Sequence, residues 1–429
     1  MNRITVILGA LLFTVQLAGC GACQRVADSR ADFLREDAAK EPSRSPQIVL
    51  QIPQAMIDET LKSTQRKLSK VSFRLPGLGD LSRYIGRLSL TPKKVLLDVD
   101  RTQAVHLGVR LDVGYNRRVL FGLKLTAVAP IRYNEKTGVM EIIVNHDLFK
   151  NVEPEIPDGA VTKLAKMLRK ELPQIARPLF PMSQLKKGAR KGIEALSKNL
   201  YRLIRKEMLT PMGEMVRFRF QLPKIPIERV TLRSDRSGWS LGIRTSLPGG
   251  GLKSGLSAVP SSRLRVSVST EMLASIGNWG MKTGAIPSTF NRKGTPQKKG
   301  EFVAALGWRK NARPLQLHLW TRAPETQGVC LYARAAGAPG VRLSRRQLKV
   351  SIKKGKLEEL DGPPLINSAA SLLGITKKTF SFTQKIALQN EVHLGTHSLG
   401  LKLQSASIDS EVLQFDFLAK AKKTKKSGS

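Results

Sequence analysis

The chain has 429 residues, 41% of them apolar, which is enough for a sizeable buried core and for more than one domain of ordinary size. Its 72 Lys and Arg against 33 Asp and Glu leave a formal net charge of +39, a surface that attracts anionic lipid, lipopolysaccharide or nucleic acid without choosing among them. Motifs exclude more than charge does: there is no G-x-S-x-G, no phosphate loop, no H-E-x-x-H and no cysteine pair at metal spacing, so neither an enzyme nor a cofactor is expected.

The amino terminus begins with Asn2 and Arg3, continues with the apolar run Ile4 to Val15, and reaches Leu17, Ala18, Gly19 and Cys20. The run is too short to span a bilayer, so residues 1–19 read as a signal segment. "LAGC" resembles the lipobox of bacterial lipoproteins, which implies cleavage before Cys20 and acylation of that cysteine as a membrane anchor in the cell envelope. Gly21 follows, and by resemblance to enterobacterial lipoproteins this implies the outer membrane. The alternative is an ordinary signal peptide cleaved near Ala22. Residues 20–46 lack a sustained apolar period and read as a flexible tether. Cys23 lies in that tether and Cys330 in a distant strand, so the expectation is two free thiols, with a disulfide as the alternative open to an exported protein.

The body starts with a switch of period. In "VLQIPQAMIDETL" a strand passes directly into an amphipathic helix carrying Met56, Ile57 and Leu61, expected over Gln54 to Leu68. Val105, Leu107, Val109, Leu111 and Val113 alternate as a half-buried strand, and Val216, Phe218, Phe220 and Leu222 mark another. Between them, helices are expected over Asp158 to Leu172 and Gln184 to Leu209. The latter sets Leu196, Leu200 and Ile204 on one face and Lys186, Lys187, Arg190 and Lys191 on the other. The Gly, Ser and Pro content of residues 246–262 marks a linker.

After it, Leu264, Val266 and Val268 alternate and then give way to Met272, Leu273, Ile276 and Trp279 at helical spacing, the same switch as before. Residues 287–300 read as an exposed loop. Strands follow at Leu315 to Leu319, Leu348 to Ile352 and Leu399 to Leu403, with a short helix near Leu365 to Leu373 and a basic tail over 420–429. His393 and His397 stand four apart with no carboxylate cluster beside them, and read as structural or exposed rather than metal-binding.

Setting "LQIPQAMIDETL" over "VSVSTEMLASIG" places Leu50 with Val266, Met56 with Met272 and Ile57 with Leu273. The expected fold is α+β: two tandem modules, residues 47–245 and 263–419, each a long, strongly bent antiparallel sheet wrapped around amphipathic helices. This order of elements, with "VSVSTEMLASIGNWGMKTG" opening the second module, resembles the tubular lipid-binding superfamily that includes the bactericidal/permeability-increasing protein. The resemblance implies a lipid-binding or lipid-shuttling lipoprotein that holds phospholipid or lipopolysaccharide in an apolar slot between sheet and helix. On that reading Met56, Ile57, Leu61, Leu196, Leu200 and Ile204 line the slot of the first module, and Met272, Leu273, Ile276 and Trp279 that of the second. The family's stapling cysteine pair is missing from the first module. Rival readings are a polyanion-binding envelope protein with a dry core, and an inert scaffold. Export argues against nucleic acid as the partner.

Overall fold

The computed structural model describes residues 3–68, 70–73, 87–99, 104–115, 118–134, 136–210, 214–222, 225–235, 237–252, 263–291, 295–321, 330–344, 347–362, 386–387, 390–394 and 397–421. The chain is mixed α/β and mostly sheet, and the sheet is curled. Helix α1 (Arg3–Ala38) precedes β1 (Ile48–Pro53), α2 (Gln54–Lys67), β2 (Val71–Phe73), β3 (Leu88–Val99), β4 (Val105–Tyr115) and β5 (Arg118–Ala129). Next come β6 (Arg132–Asn134), β7 (Val139–Asn145), β8 (Phe149–Glu155), α3 (Ala160–Glu171), α4 (Met182–Ile204), β9 (Glu214–Gln221), β10 (Ile227–Asp235) and β11 (Gly238–Thr245). The remainder comprises β12 (Arg263–Ser269), α5 (Met272–Lys282), β13 (Thr289–Phe290), β14 (Phe302–Trp308), β15 (Leu315–Thr321), β16 (Tyr332–Ser344) and β17 (Gln347–Asp361). It ends with β18 (Ile386–Ala387), β19 (Asn390–Leu394), β20 (His397–Ile408) and β21 (Val412–Ala421).

The two strands that open onto helices lie side by side. In the 10-stranded sheet the order is β10-β11-β1-β12-β21-β20-β19-β9-β7-β6, and β1 pairs antiparallel with β12. Leu50 faces Val266 across that seam, the same two residues that the sequence superposition matched. On one side β1 pairs with β11, whose hairpin partner is β10; on the other β12 pairs with β21, whose hairpin partner is β20. Two further meanders, β2-β3-β4-β5-β8 and β13-β14-β15-β16-β17-β18, complete the sheets. Their alternation is the expected one: Val105, Leu107, Val109, Leu111 and Val113 are all buried on one face of β4.

The direct strand-to-helix turn has a local cause. Pro53 fixes φ at −67° where β1 ends, and the first helical amide, on Gln54, donates to the carbonyl of Ser237 in the β10–β11 turn. Gly238, at φ +139°, makes that approach possible, since a Cβ there would stand 2.1 Å from the Ile52 carbonyl oxygen. In β12 the counterpart turn runs through Thr270, whose hydroxyl donates to the Ser410 carbonyl beside β21.

Gln47 locks the seam. Its side chain is fully buried; Oε1 accepts from the Thr245 amide at 2.9 Å and from the Thr245 hydroxyl at 2.7 Å, while Nε2 donates to the Leu247 carbonyl at 2.8 Å. Its backbone carbonyl accepts from Ser269 of β12. One residue therefore ties β1, β11, β12 and the start of the expected linker. Residues 246–252 are ordered by this contact, with Leu252 buried, while 253–262 and the short helix expected near Leu365 to Leu373 lie outside the described residues.

Several expectations are corrected. Residues 21–38 are helical rather than a loose tether, because α1 lies against the second meander. Ala22, Cys23, Val26, Ser29 and Phe33 follow one another at steps of one, three and four, and that stripe meets Trp320, Cys330 and Tyr332. The cysteines are not free: Cys23 and Cys330 form a disulfide that bridges 307 residues of sequence. The fold brings together what the sequence separates. The expected loop over 287–300 contains β13 and its pairing with β14. The long helix ends at Ile204, and residues Arg205–Leu209 continue it as a π-turn.

Under α1 the rings of His318, Trp320 and Tyr332 stack, and Phe33 lies tilted against His318 at 4.5 Å between centroids. The His318 Nδ1 atom meets the Tyr332 hydroxyl at 3.0 Å. Burial, followed by the charges of Arg334, Arg309 and Lys40, holds the imidazole pKa down to about 3. The neutral ring is the folded form, so the stability it contributes is fully present above the ordinary histidine pKa of 6.5 and is lost as pH falls from there towards 3.

Two predictions follow from this packing. Gln47→Ala leaves the Thr245 and Leu247 backbone groups unpaired and should lower stability by about 2–4 kcal/mol in equilibrium denaturation. Thermal melts should show a loss of stability below pH 6.5 that His318→Phe reduces.

Candidate functional site

The described residues that the resemblance implies as a lining fall, Trp279 apart, in the interior between helices and curled sheets. Met56, Ile57 and Leu61 lie on the face of α2 that meets β1, β3 and β11. Their burial is nearly complete, at 8%, 0% and 7% exposure. Ile204, at the end of α4, is fully buried too. The Tyr201 hydroxyl one turn earlier donates to the Phe149 carbonyl of β8, and Arg205 pairs with Asp147 at 2.6 Å, so α4 is fastened to the sheet edge it covers. Leu196 and Leu200 belong to α4, but their side chains lie outside the described residues.

In the second half, Met272 is fully buried, and Leu273 and Ile276 pack partly buried on the same cluster. Met56, Ile57, Leu61, Ile204 and Met272 thus share one continuous apolar core, where the sequence anticipated a separate lining for each module. Trp279 stands apart from it, half-buried, with its indole N–H buried and without a hydrogen-bond partner among the described residues.

The position of α5 is set by close backbone approach. A Cβ on Gly277 would meet Leu306 Cδ1 at 2.4 Å, so glycine lets the helix lie directly on β14. Beside it the Asn278 amide donates to the Leu306 carbonyl and accepts from the Leu306 N–H, both at 2.8 Å, which satisfies that strand edge as a neighbouring strand would. The same amide reaches Asp37 of α1.

An open cleft of about 350 Å³ lies between α2 and β3, lined by Lys62, Gln65, Leu68 and Pro92. This volume is at the small end of ligand sites. Leu68, which lines the cleft, is buried and is also a member of the core cluster. Lys62 is exposed at its rim, and the Gln65 amide donates to the Lys93 carbonyl at 2.8 Å, tying helix to strand across it. The described lining of the cleft therefore mixes the polar side chains of Lys62 and Gln65 with the apolar ones of Leu68 and Pro92. Sequence reasoning placed the opening between helix and sheet but missed these residues, because Gln65 and Lys62 sit on the polar side of the helical period. The one signal was Leu68, which extends the stripe of Ile57 and Leu61.

Cys20 lies within α1, and its side chain is outside the described residues. Only Gly21 and Ala22 separate it from the disulfide-bonded Cys23. Among the described residues no helix is long and apolar enough to cross a membrane.

No family model and no curated protein matches the sequence. Among solved structures the chain is similar to P47 from Clostridium botulinum A2, at a TM-score of 0.44 and 7% identity over 89% of this chain and 99% of that one. P47 of Clostridium botulinum E1 gives 0.44 and 6%, over 87% and 98%. A lipopolysaccharide binding protein gives 0.25 and 10%, over 88% and 99%.

Proposed function

We propose that the chain is a non-catalytic envelope lipoprotein, anchored by acylated Cys20 on the outer membrane, that holds acyl chains of an anionic phospholipid or lipopolysaccharide between its helices and curled sheets. The α2–β3 cleft supports this reading: it sets the apolar side chain of Leu68, a member of the core cluster, beside the exposed cation Lys62, the two kinds of contact that an anionic amphiphile needs. Burying acyl surface there gains roughly 25 cal/mol per Å² removed from water. The flexible Met56 side chain, buried in that core, suits chains of more than one shape. A disulfide persists in oxidising compartments, so the Cys23–Cys330 bond supports export.

The proposal includes two copies of one module. What supports this is that β1 and β12 each lead into a helix, and each pairs with the last strand of its own half, β11 or β21. It also replaces a swinging body with a held one, since a disulfide three residues beyond the anchor leaves no length for a tether. The second reading, a polyanion-binding protein with a dry core, is favoured by the exposed cations Lys163, Lys166, Lys186 and Lys187 of α3 and α4.

Organic extraction of the purified full chain, followed by mass spectrometry, decides between them. Stoichiometric phospholipid or lipid A is expected, and Gln65→Trp, which fills the cleft with an apolar ring, should lower its yield several-fold. A lipid-free extract together with salt-sensitive polyanion binding would support the second reading.

A further inference from the structure

The connection between α3 and α4 carries the most exposed large apolar side chains among the described residues. Ile175 is 89% exposed and Leu179 71% exposed. Neither has a place in the core, yet the backbone that presents them is well held. Arg177 folds back so that its guanidinium donates to the Leu172 carbonyl at 3.1 Å and the Lys170 carbonyl at 3.3 Å, satisfying the end of α3. Pro173, Pro178 and Pro181 restrict the chain between the helices, and Ile175 sits in a short 3₁₀ turn, Gln174–Ala176. Presenting apolar groups to water on a stiffened turn gains nothing for the fold.

Cations flank this tip. Arg169 and Lys170 lie in the last turn of α3, just before the exposed Glu171 that ends it, and Lys186 and Lys187 stand near the start of α4, all exposed. Helix α4 begins at Met182, preceded by Pro181 with no side-chain cap, and has no acidic residue in its first turn, so its amino-terminal amides add to the attraction for phosphate. An apolar pair surrounded by cations fits the boundary between headgroups and acyl chains of an anionic bilayer.

We propose that the α3–α4 tip is a membrane-docking surface that inserts Ile175 and Leu179 into an anionic bilayer while Lys170, Lys186 and Lys187 contact lipid phosphates. This contact is separate from the acyl anchor and from any lipid held inside, so it stands or falls apart from the proposed function. It supplies a second point of attachment, on a helical hairpin distant in sequence from Cys20.

The test uses residues 20–429, the chain expected after signal cleavage, with Cys20→Ser, so that neither an acyl chain nor the apolar run Ile4 to Val15 contributes, and vesicles of phosphatidylcholine with or without phosphatidylglycerol. Flotation should show binding that depends on phosphatidylglycerol. I175D/L179D should weaken it by roughly tenfold or more, with an unchanged thermal melt because both positions are exposed. Ile175→Trp should show a blue shift of indole emission on adding the anionic vesicles, beyond that of the native tryptophans. Equal flotation of the double variant and the parent, an unshifted indole, or binding of a protein partner with no vesicle binding would overturn the proposal.

Discussion

Everything in this molecule depends on the antiparallel pairing of β1 with β12. Each strand must hydrogen-bond on both edges while its carboxyl end turns straight into a helix, and the seam meets both demands by placing the two strands beside each other. Because the strands run in opposite directions, α2 and α5 leave the seam in opposite directions. Gln47 sits beside this seam: its backbone carbonyl accepts from the Ser269 amide of β12, while its side-chain amide is satisfied by Thr245 of β11 and by Leu247, so β1 is held to both neighbours by hydrogen bonds as well as by the apolar faces of Leu50 and Val266. A one-residue slip would turn Ile48, Leu50 and Ile52 away from the core and uncouple Gln47 from Thr245.

From this seam the rest acquires its placement. The curled meander over α2, α3 and α4 encloses Ile57 and Ile204, while the second meander is covered on opposite faces. Its Leu317 side packs near Met281 of α5, and its Trp320 side meets α1. That double cover explains why Leu315, Gln316, Leu317 and His318 are buried in succession in β15. It also turns a segment that would otherwise be a spacer into part of the body. If Cys20 carries the anchor, the second meander is held close to the membrane by Cys23 and Cys330.

Much of the fold was legible in local period. Val105 to Val113 and the stripe Met56, Ile57 and Leu61 declare their faces, because strand and helix patterns depend only on neighbours in sequence, whereas the alternation at Leu315 to Leu319 gave the strand but not the burial of its Gln316 and His318 face. The role of α1 was hidden because its buried stripe is filled by Ala22, Cys23, Ser29 and Phe33, a mixture with weak apolar contrast. The disulfide and the Leu50–Val266 pairing are contacts across hundreds of residues, which no local period encodes. Within the candidate site, the core members were legible and the cleft was not: Lys62 and Gln65 are polar, and only the third dimension places them beside Pro92. Ile175 and Leu179 escaped notice for the reverse reason, as isolated apolar residues in a proline-rich connection.

Amide hydrogen exchange under native conditions tests the seam most directly. The account predicts that the amides of β1 and β12 exchange only through global unfolding, at a common free energy, with residues 24–37 of α1 also protected in the oxidised protein. Exchange of β1 together with β11 through a separate, lower-energy opening that leaves β12 protected would contradict it, and would show two bodies in contact rather than one sheet.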